Sequence, residues 1–150
     1  KNYFSVPQII NSGSVVPKLT YQKVGLYDEK LFIDYVDFEY CWRCLQSSLS
    51  IFLIKNTFIF HNLGEGSNKL LDKFNMHKIS PYRHYYTFRN SIYLLHKKHV
   101  PKKWIIRNLI KQIIYFFVYP ILNGQIRMRY KFMIIGIIDG IKKRYGIYKS

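Results

Sequence analysis

Apolar residues recur along this chain at two spacings, and each predicts a kind of element. Phe38, Cys41, Trp42 and Leu45 fall at i, i+3, i+4 and i+7, which marks one face of a helix from about Asp37 to Gln46, broken by Ser47-Ser48. Glu39 and Arg43 lie four apart on that helix, acid first, the favourable order for an ion pair. A longer stripe starts at Ile105 and Ile106 and keeps the same spacing through Ile113, Phe117 and Ile121, with Arg107, Lys111 and Gln112 off it. It predicts an amphipathic helix from Ile105 to Leu122, ended by Asn123-Gly124. Thr87 to His96 and Ile126 to Lys143 read as two more helices, and Leu19 to Val24 as a short one stopped by Gly25. The runs Ile51–Ile54 and Thr57–Phe60, divided by Lys55-Asn56, predict two short strands apolar enough for burial on both faces. Phe4 to Val16 reads as a strand and a turn punctuated by Asn11-Ser12-Gly13-Ser14.

Charge divides the same chain differently. Residues 1–75 hold eight Lys/Arg and seven Asp/Glu, whereas residues 76–150 hold sixteen Lys/Arg and one Asp, which together give the net +16. A near-neutral part followed by a basic part suggests that the second part faces an anion. Nucleic acid is one candidate and an anionic membrane the other. Single-strand platforms interleave exposed aromatics with Lys and Arg. Here the basic residues flank Ile-rich helices and no nucleic-acid motif is present, so no nucleic acid is expected. The Ile105–Leu122 stripe is slightly shorter than the roughly 20 residues that span a bilayer core. It also carries Arg107 and Lys111, so lying in the membrane interface is expected rather than crossing, the rival being a stripe packed on the catalytic domain or on a second subunit.

The length of 150 residues allows one domain with one core. The chain begins Lys1-Asn2, without a Met or a signal-peptide pattern, and reads as a piece of a longer protein. Cys41 and Cys44 lack the second pair or flanking His of a zinc site and are expected to be small buried residues in a reducing compartment. His77, His84, His96 and His99 show no ligand spacing and are expected at the surface or an interface.

Five of the eight acidic residues fall between Asp28 and Glu39. Carboxylates gathered in a basic protein take protons, hold metals or bind sugar hydroxyls. Asp37 has two readings, a helix N-cap or a catalytic carboxylate. His61 follows the expected second strand and precedes the loop Asn62-Leu63-Gly64-Glu65-Gly66, the place where open α/β sheets bind ligands. The segment from Tyr82 to Arg89 could pack between domains or stack on acceptor sugar.

Four stretches in this order, Asn11-Ser12-Gly13-Ser14, Gly25 to Glu29, Leu31 to Arg43 and Phe60 to Gly64, resemble the second half of the catalytic domain of family 2 inverting glycosyltransferases. Phe32 to Asp37 and Ser80 to Asn90 are similar to the rhamnosyltransferases of polysaccharide synthesis within that family. The resemblance implies an α/β fold of the GT-A type, with its acceptor-side half in residues 1–78 followed by a C-terminal extension; residues 79–150 read as that extension, basic, aromatic-rich and helical, and its stripe and charge make it membrane-associated. It implies Asp37 as general base and His61 as a ligand of Mg²⁺ or Mn²⁺, beside an Asp-x-Asp motif upstream of this chain. Ser12 and Gly13 would lie near the bound sugar, with Asp34, Glu39 and Arg43 around the substrate. One departure is Val36-Asp37, where many members have Glu-Asp. The implied donor is a nucleotide sugar, with dTDP-rhamnose the candidate, and the acceptor a glycan or lipid-linked glycan. Such an enzyme would sit peripherally on the inner face of the plasma membrane, in the cytoplasm.

Overall fold

The computed structural model of the chain describes residues 2–59 and 79–148, so His61, its loop and His77 lie outside the described residues. The described residues are mostly helical, with one small two-stranded sheet. Strand β1 (Tyr3–Ser5) pairs antiparallel with β2 (Phe52–Ile54), placing Phe4 opposite Leu53. Between them lie α1 (Lys18–Val24) and α2 (Val36–Gln46). Three helices follow: α3 (Pro81–Leu95), α4 (Lys102–Asn123) and α5 (Ile126–Ile141).

Expected and observed boundaries agree to a few residues for α2 and α5. Helix α3 begins earlier than expected because Ser80-Pro81 opens it, with the proline at the first helical position, where its missing N–H costs nothing. The strands correct the expectation. β2 is exposed on both faces rather than buried, and Thr57 to Ile59 form no strand.

Helix α3 is the centre of the helical part. From His84 to Ser91 every residue is buried, on all sides of the helix. It packs mainly against α5, and two glycines allow the approach. A Cβ at Gly136 would stand 2.4 Å from the Tyr85 carbonyl oxygen, and one at Gly140 would stand 2.9 Å from Ile92 Cβ. Phe88, Tyr115, Tyr119 and Met133 fill the space among α3, α4 and α5. A second cluster joins Leu31, Trp42, Tyr93, Leu94 and Val100, with Trp104 set edge-on to Trp42 at 4.7 Å. Residues from both sides of position 78 therefore share one core. Removing a fully buried ring such as Trp42 typically costs about 3–5 kcal/mol.

Candidate active site

Helix α2 begins in an unusual way. Its N-cap, Tyr35, is left-handed (φ 65°), and Phe32 (φ 60°) and Asp34 (φ 62°) just before it are left-handed too. Each such residue costs roughly 1–2 kcal/mol when it carries a Cβ. The turn persists because α3 holds it from below. Asn90 Nδ2 lies 3.0, 2.6 and 3.1 Å from the carbonyl oxygens of Leu31, Ile33 and Asp34. Arg89 Nη2 donates to the Lys30 and Leu31 carbonyls, both at 2.9 Å, and Arg89 Nη1 to the Gly146 carbonyl. Arg89 Nε in turn donates to Asn90 Oδ1 at 2.9 Å, which fixes the amide's orientation. Hydrogen bonds worth about 0.5–1.5 kcal/mol each, more from a charged donor, are enough to offset the strain. Both side chains are fully buried, so without these partners they would be costly to bury.

The gathered carboxylates then separate by what they touch. Asp34 takes a forked contact from Arg83 (Nε 3.0 Å, Nη2 2.7 Å) and accepts from Thr87 Oγ1 at 3.3 Å. Asp28 accepts from Tyr93 Oη at 2.5 Å and from the Lys30 backbone N–H at 3.1 Å, with Lys97 Nζ at 3.5 Å. Burial pushes the Asp28 carboxyl up, but these donors outweigh it and hold it below the usual carboxylate range. Glu39 is 1% exposed and pairs with Arg43 Nε at 2.9 Å. His99 Nε2 stands 3.0 Å from the same carboxylate, out of line for a hydrogen bond. Arg43 itself reaches back to the carbonyls of Val24 (3.0 Å) and Leu26 (2.8 Å), tying the end of α1 to α2. Asp34, Glu39 and Arg43 thus hold the framework in place.

Asp37 differs. It is half-buried in the first turn of α2 and, among the described residues, has no hydrogen bond or ion pair. It is not an N-cap, since Tyr35 holds that position and no side chain caps the helix. Its surroundings come from three segments. Burial, with Tyr21 and Tyr40 alongside and the Asp37 carboxylate near, pushes the Tyr27 hydroxyl up to about 12. Burial also raises the Cys41 thiol, one turn along, with Asp37 adding to the effect. Cys41 and Cys44 are buried free thiols, as expected. Tyr27 Oη donates to Asn11 Oδ1 at 3.0 Å, and Cys41 Sγ lies 3.8 Å from the Ile9 carbonyl. These contacts bring the Asn11-Ser12-Gly13 turn toward the Asp37 end of α2. Gly13 has φ 78°, and the Ile59 side chain lies where a Cβ would go. Beside Tyr27 opens a cleft of about 730 Å³, lined among others by Glu29, Lys30, Phe32, Val36 and Tyr145.

Reading the sequence alone did not single out Asn11 or Tyr27. Their signal was only a polar turn and a tyrosine before two acids. Of the two expected places for His84, surface or interface, it takes the second, fully buried where α3 meets Tyr119 of α4 and Arg129 of α5. Its Nε2 lies 2.9 Å from Arg129 Nη1, and burial followed by the Arg129 charge lowers its pKa to about 3. Among the described residues no three His, Cys, Asp or Glu side chains converge to hold a metal ion.

Over 106 residues the chain is 41% identical to the dTDP-rhamnosyl transferase RfbF of Shigella flexneri. Over that stretch the chain is similar in sequence to a rhamnosyltransferase. The matched stretch covers 71% of this chain and 36% of that protein, so the chain corresponds to about a third of its relative's length. No family model and no solved structure matches the chain.

Proposed function

We propose that this chain is the acceptor-side part of a larger inverting glycosyltransferase with an α/β catalytic domain of the GT-A type. It would move rhamnose from dTDP-rhamnose to a glycan or lipid-linked glycan, with Asp37 as general base. One observation carries this reading. In a cluster where Asp28, Asp34 and Glu39 all have cationic or hydroxyl partners and Glu29 is exposed to solvent, Asp37 is half-buried and without such a partner among the described residues. The similarity to a dTDP-rhamnosyl transferase supports the choice of sugar and nucleotide.

The chemistry follows from the position. An acceptor hydroxyl loses its proton to the Asp37 carboxylate as its oxygen bonds to the anomeric carbon. The bond from that carbon to the diphosphate breaks, and the electron pair leaves with the nucleoside diphosphate. Arg89 and Asn90 are positioning residues, since they fix the turn that launches α2 and so fix where Asp37 stands. Tyr27, Phe32 and Tyr145 line the adjacent cleft with aromatic surface suited to a sugar ring. A Mg²⁺ or Mn²⁺ ion would need His61, outside the described residues, and carboxylates beyond this chain. Proton transfer to Asp37 needs no metal ligand from the described residues.

The test uses the intact protein with dTDP-rhamnose and a glycan acceptor, and follows release of dTDP. The Asp37→Asn variant should lose about 10²–10⁴-fold in turnover, the usual contribution of a general base, while still binding donor. Turnover equal to the parent's overturns the assignment.

A further inference from the structure

Helix α4 is amphipathic in the reverse sense. The face turned into the protein carries Asn108, Gln112, Tyr115 and Tyr119, all buried. That face is hydrogen-bonded. Tyr35 Oη donates to Asn108 Oδ1 at 3.0 Å, Gln112 Nε2 donates to Tyr35 Oη at 2.9 Å, and Asn108 Nδ2 donates to Ser91 Oγ at 2.9 Å. The Ile79 backbone N–H donates to Tyr119 Oη at 2.7 Å. The face turned outward is aliphatic and aromatic: Ile106 is 59% exposed, Ile110 53%, Ile113 60%, Phe117 61% and Ile121 69%. A helix in a water-soluble protein normally puts such a stripe against the core. An apolar patch of this extent on the outside marks a surface that meets something other than water.

The charges around the stripe say what that is. Lys102, Lys103, Arg107, Arg127 and Lys131 are all exposed on α4 and α5, whereas Lys111 Nζ lies 5.0 Å over the buried Tyr115 ring, and no Asp or Glu occurs from Pro101 to Ile138. The first acid after them, Asp139, is engaged by Tyr85 Oη at 3.0 Å and Arg144 Nη1 at 3.6 Å. A second copy docking through this face would set cations against cations with no carboxylate to answer them. An anionic lipid surface answers both features, since acyl chains take the stripe and phosphates take the cations. By length and composition α4 could cross a bilayer, with 22 residues and an 18-residue stretch of mean hydropathy 1.4. Its inner face, however, is bonded to α3 and to Tyr35, so lipid cannot surround it.

We propose that the outer face of α4, extended by the exposed Ile134 and Ile138 of α5, docks the protein flat on an anionic membrane leaflet. The helix lies in the interface, with its stripe among the acyl chains and its Lys and Arg at the head groups. This inference deepens the proposed transfer by placing a lipid-linked acceptor on the same leaflet, the cytoplasmic one, from which soluble donor is reached. Vesicle binding itself does not depend on that reading.

The test sediments the intact protein with phosphatidylcholine vesicles, with and without phosphatidylglycerol, at low salt. The protein should pellet with the anionic vesicles and be released by high salt. Replacing Ile110, Ile113 and Phe117 by Gln should weaken binding roughly tenfold per side chain, with the far-ultraviolet spectrum and melting temperature unchanged. Lys102→Glu and Arg107→Glu should each cost at least about fivefold, and only on the anionic vesicles. Failure of the parent to pellet overturns the proposal, because the rest of the protein or a partner then covers the face. So does equal binding by the folded Gln variant, or a dimer that the Gln variant abolishes while vesicles capture neither form. If vesicle binding holds while dTDP release is absent, the docking face stands and the proposed transfer fails.

Discussion

The two sides of the C-terminal helices are built from opposite materials. Inside, where an apolar core is normal, lie Arg89, Asn90, Asn108, Gln112, His84 and Arg129, each buried and most of them hydrogen-bonded. Outside, where polar residues are normal, lies the Ile and Phe stripe of α4. The inner polar groups have specific work. Arg89 and Asn90 hold the left-handed turn before α2, while Arg129 closes α5 onto Ile79 and Gly124 through its guanidinium, both at 2.9 Å. The outer stripe is left largely exposed by the described residues. A third surface sharpens the contrast. The β1–β2 ribbon is also apolar and exposed, yet residues 2–17 carry no charge at all. Two strands alone are marginally stable. An apolar ribbon with one lysine against it, Lys55 Nζ 5.9 Å over the Phe4 ring, suits continuation into more protein, and a stripe fringed with several cations suits an anionic partner.

That contrast can be broken from either side. The largest effect is expected at Arg89. Arg89→Ala removes the guanidinium donor from the Lys30, Leu31 and Gly146 carbonyls and from Asn90 Oδ1 and opens a cavity, so it should cost more than about 3 kcal/mol in denaturant unfolding. Asn90→Ala should behave similarly, and both should lower turnover through the displaced turn. Next, Gly136→Ala drives a methyl toward the Tyr85 carbonyl and should cost about 1–3 kcal/mol as α3 and α5 separate. His84 gives a pH signature. Its folded pKa, about 3, lies below the 6.5 of the unfolded chain, so the unfolded state takes up the proton first. Stability should therefore be full above about pH 6.5 and fall by at most about 1.4 kcal/mol per pH unit as pH drops toward 3. Thermal melts across that range read the slope, and a flat profile means His84 is not held neutral. The smallest effect belongs to the outer stripe, where Ile113→Gln should change stability by no more than about 0.5 kcal/mol. A large loss there means the stripe is packed in the intact protein.

Much of this arrangement could be read from local pattern, and the rest depends on long-range contact. The α2 helix, the C-terminal helices, the buried thiols and the gathered acids all follow from spacing within a few residues. Periodicity revealed the α4 stripe but not its direction, because a helix looks the same whichever face its neighbours cover. The fate of each acid was hidden for a similar reason. Asp34 meets Arg83, 49 positions away, and Asn90 reaches Leu31 across 59. The left-handed Phe32, Asp34 and Tyr35 run against local preference and exist because α3 imposes them. Thr57 to Ile59 read as strand on composition alone, and among the described residues no strand pairs with them.

The division of labour between Asp37 and its neighbour Asp34 is the point on which the account depends, and one paired measurement reaches it. Turnover and melting temperature are recorded together for Asp37→Asn and Asp34→Asn in the intact protein. Asp37→Asn should lose at least about a hundredfold in turnover and melt with the parent. Asp34→Asn, deprived of its ion pair with Arg83, should melt earlier and lose turnover only in proportion to the protein that unfolds. An Asp37→Asn variant that turns over normally, or one whose loss is matched by an equal loss in well-folded Asp34→Asn, contradicts it.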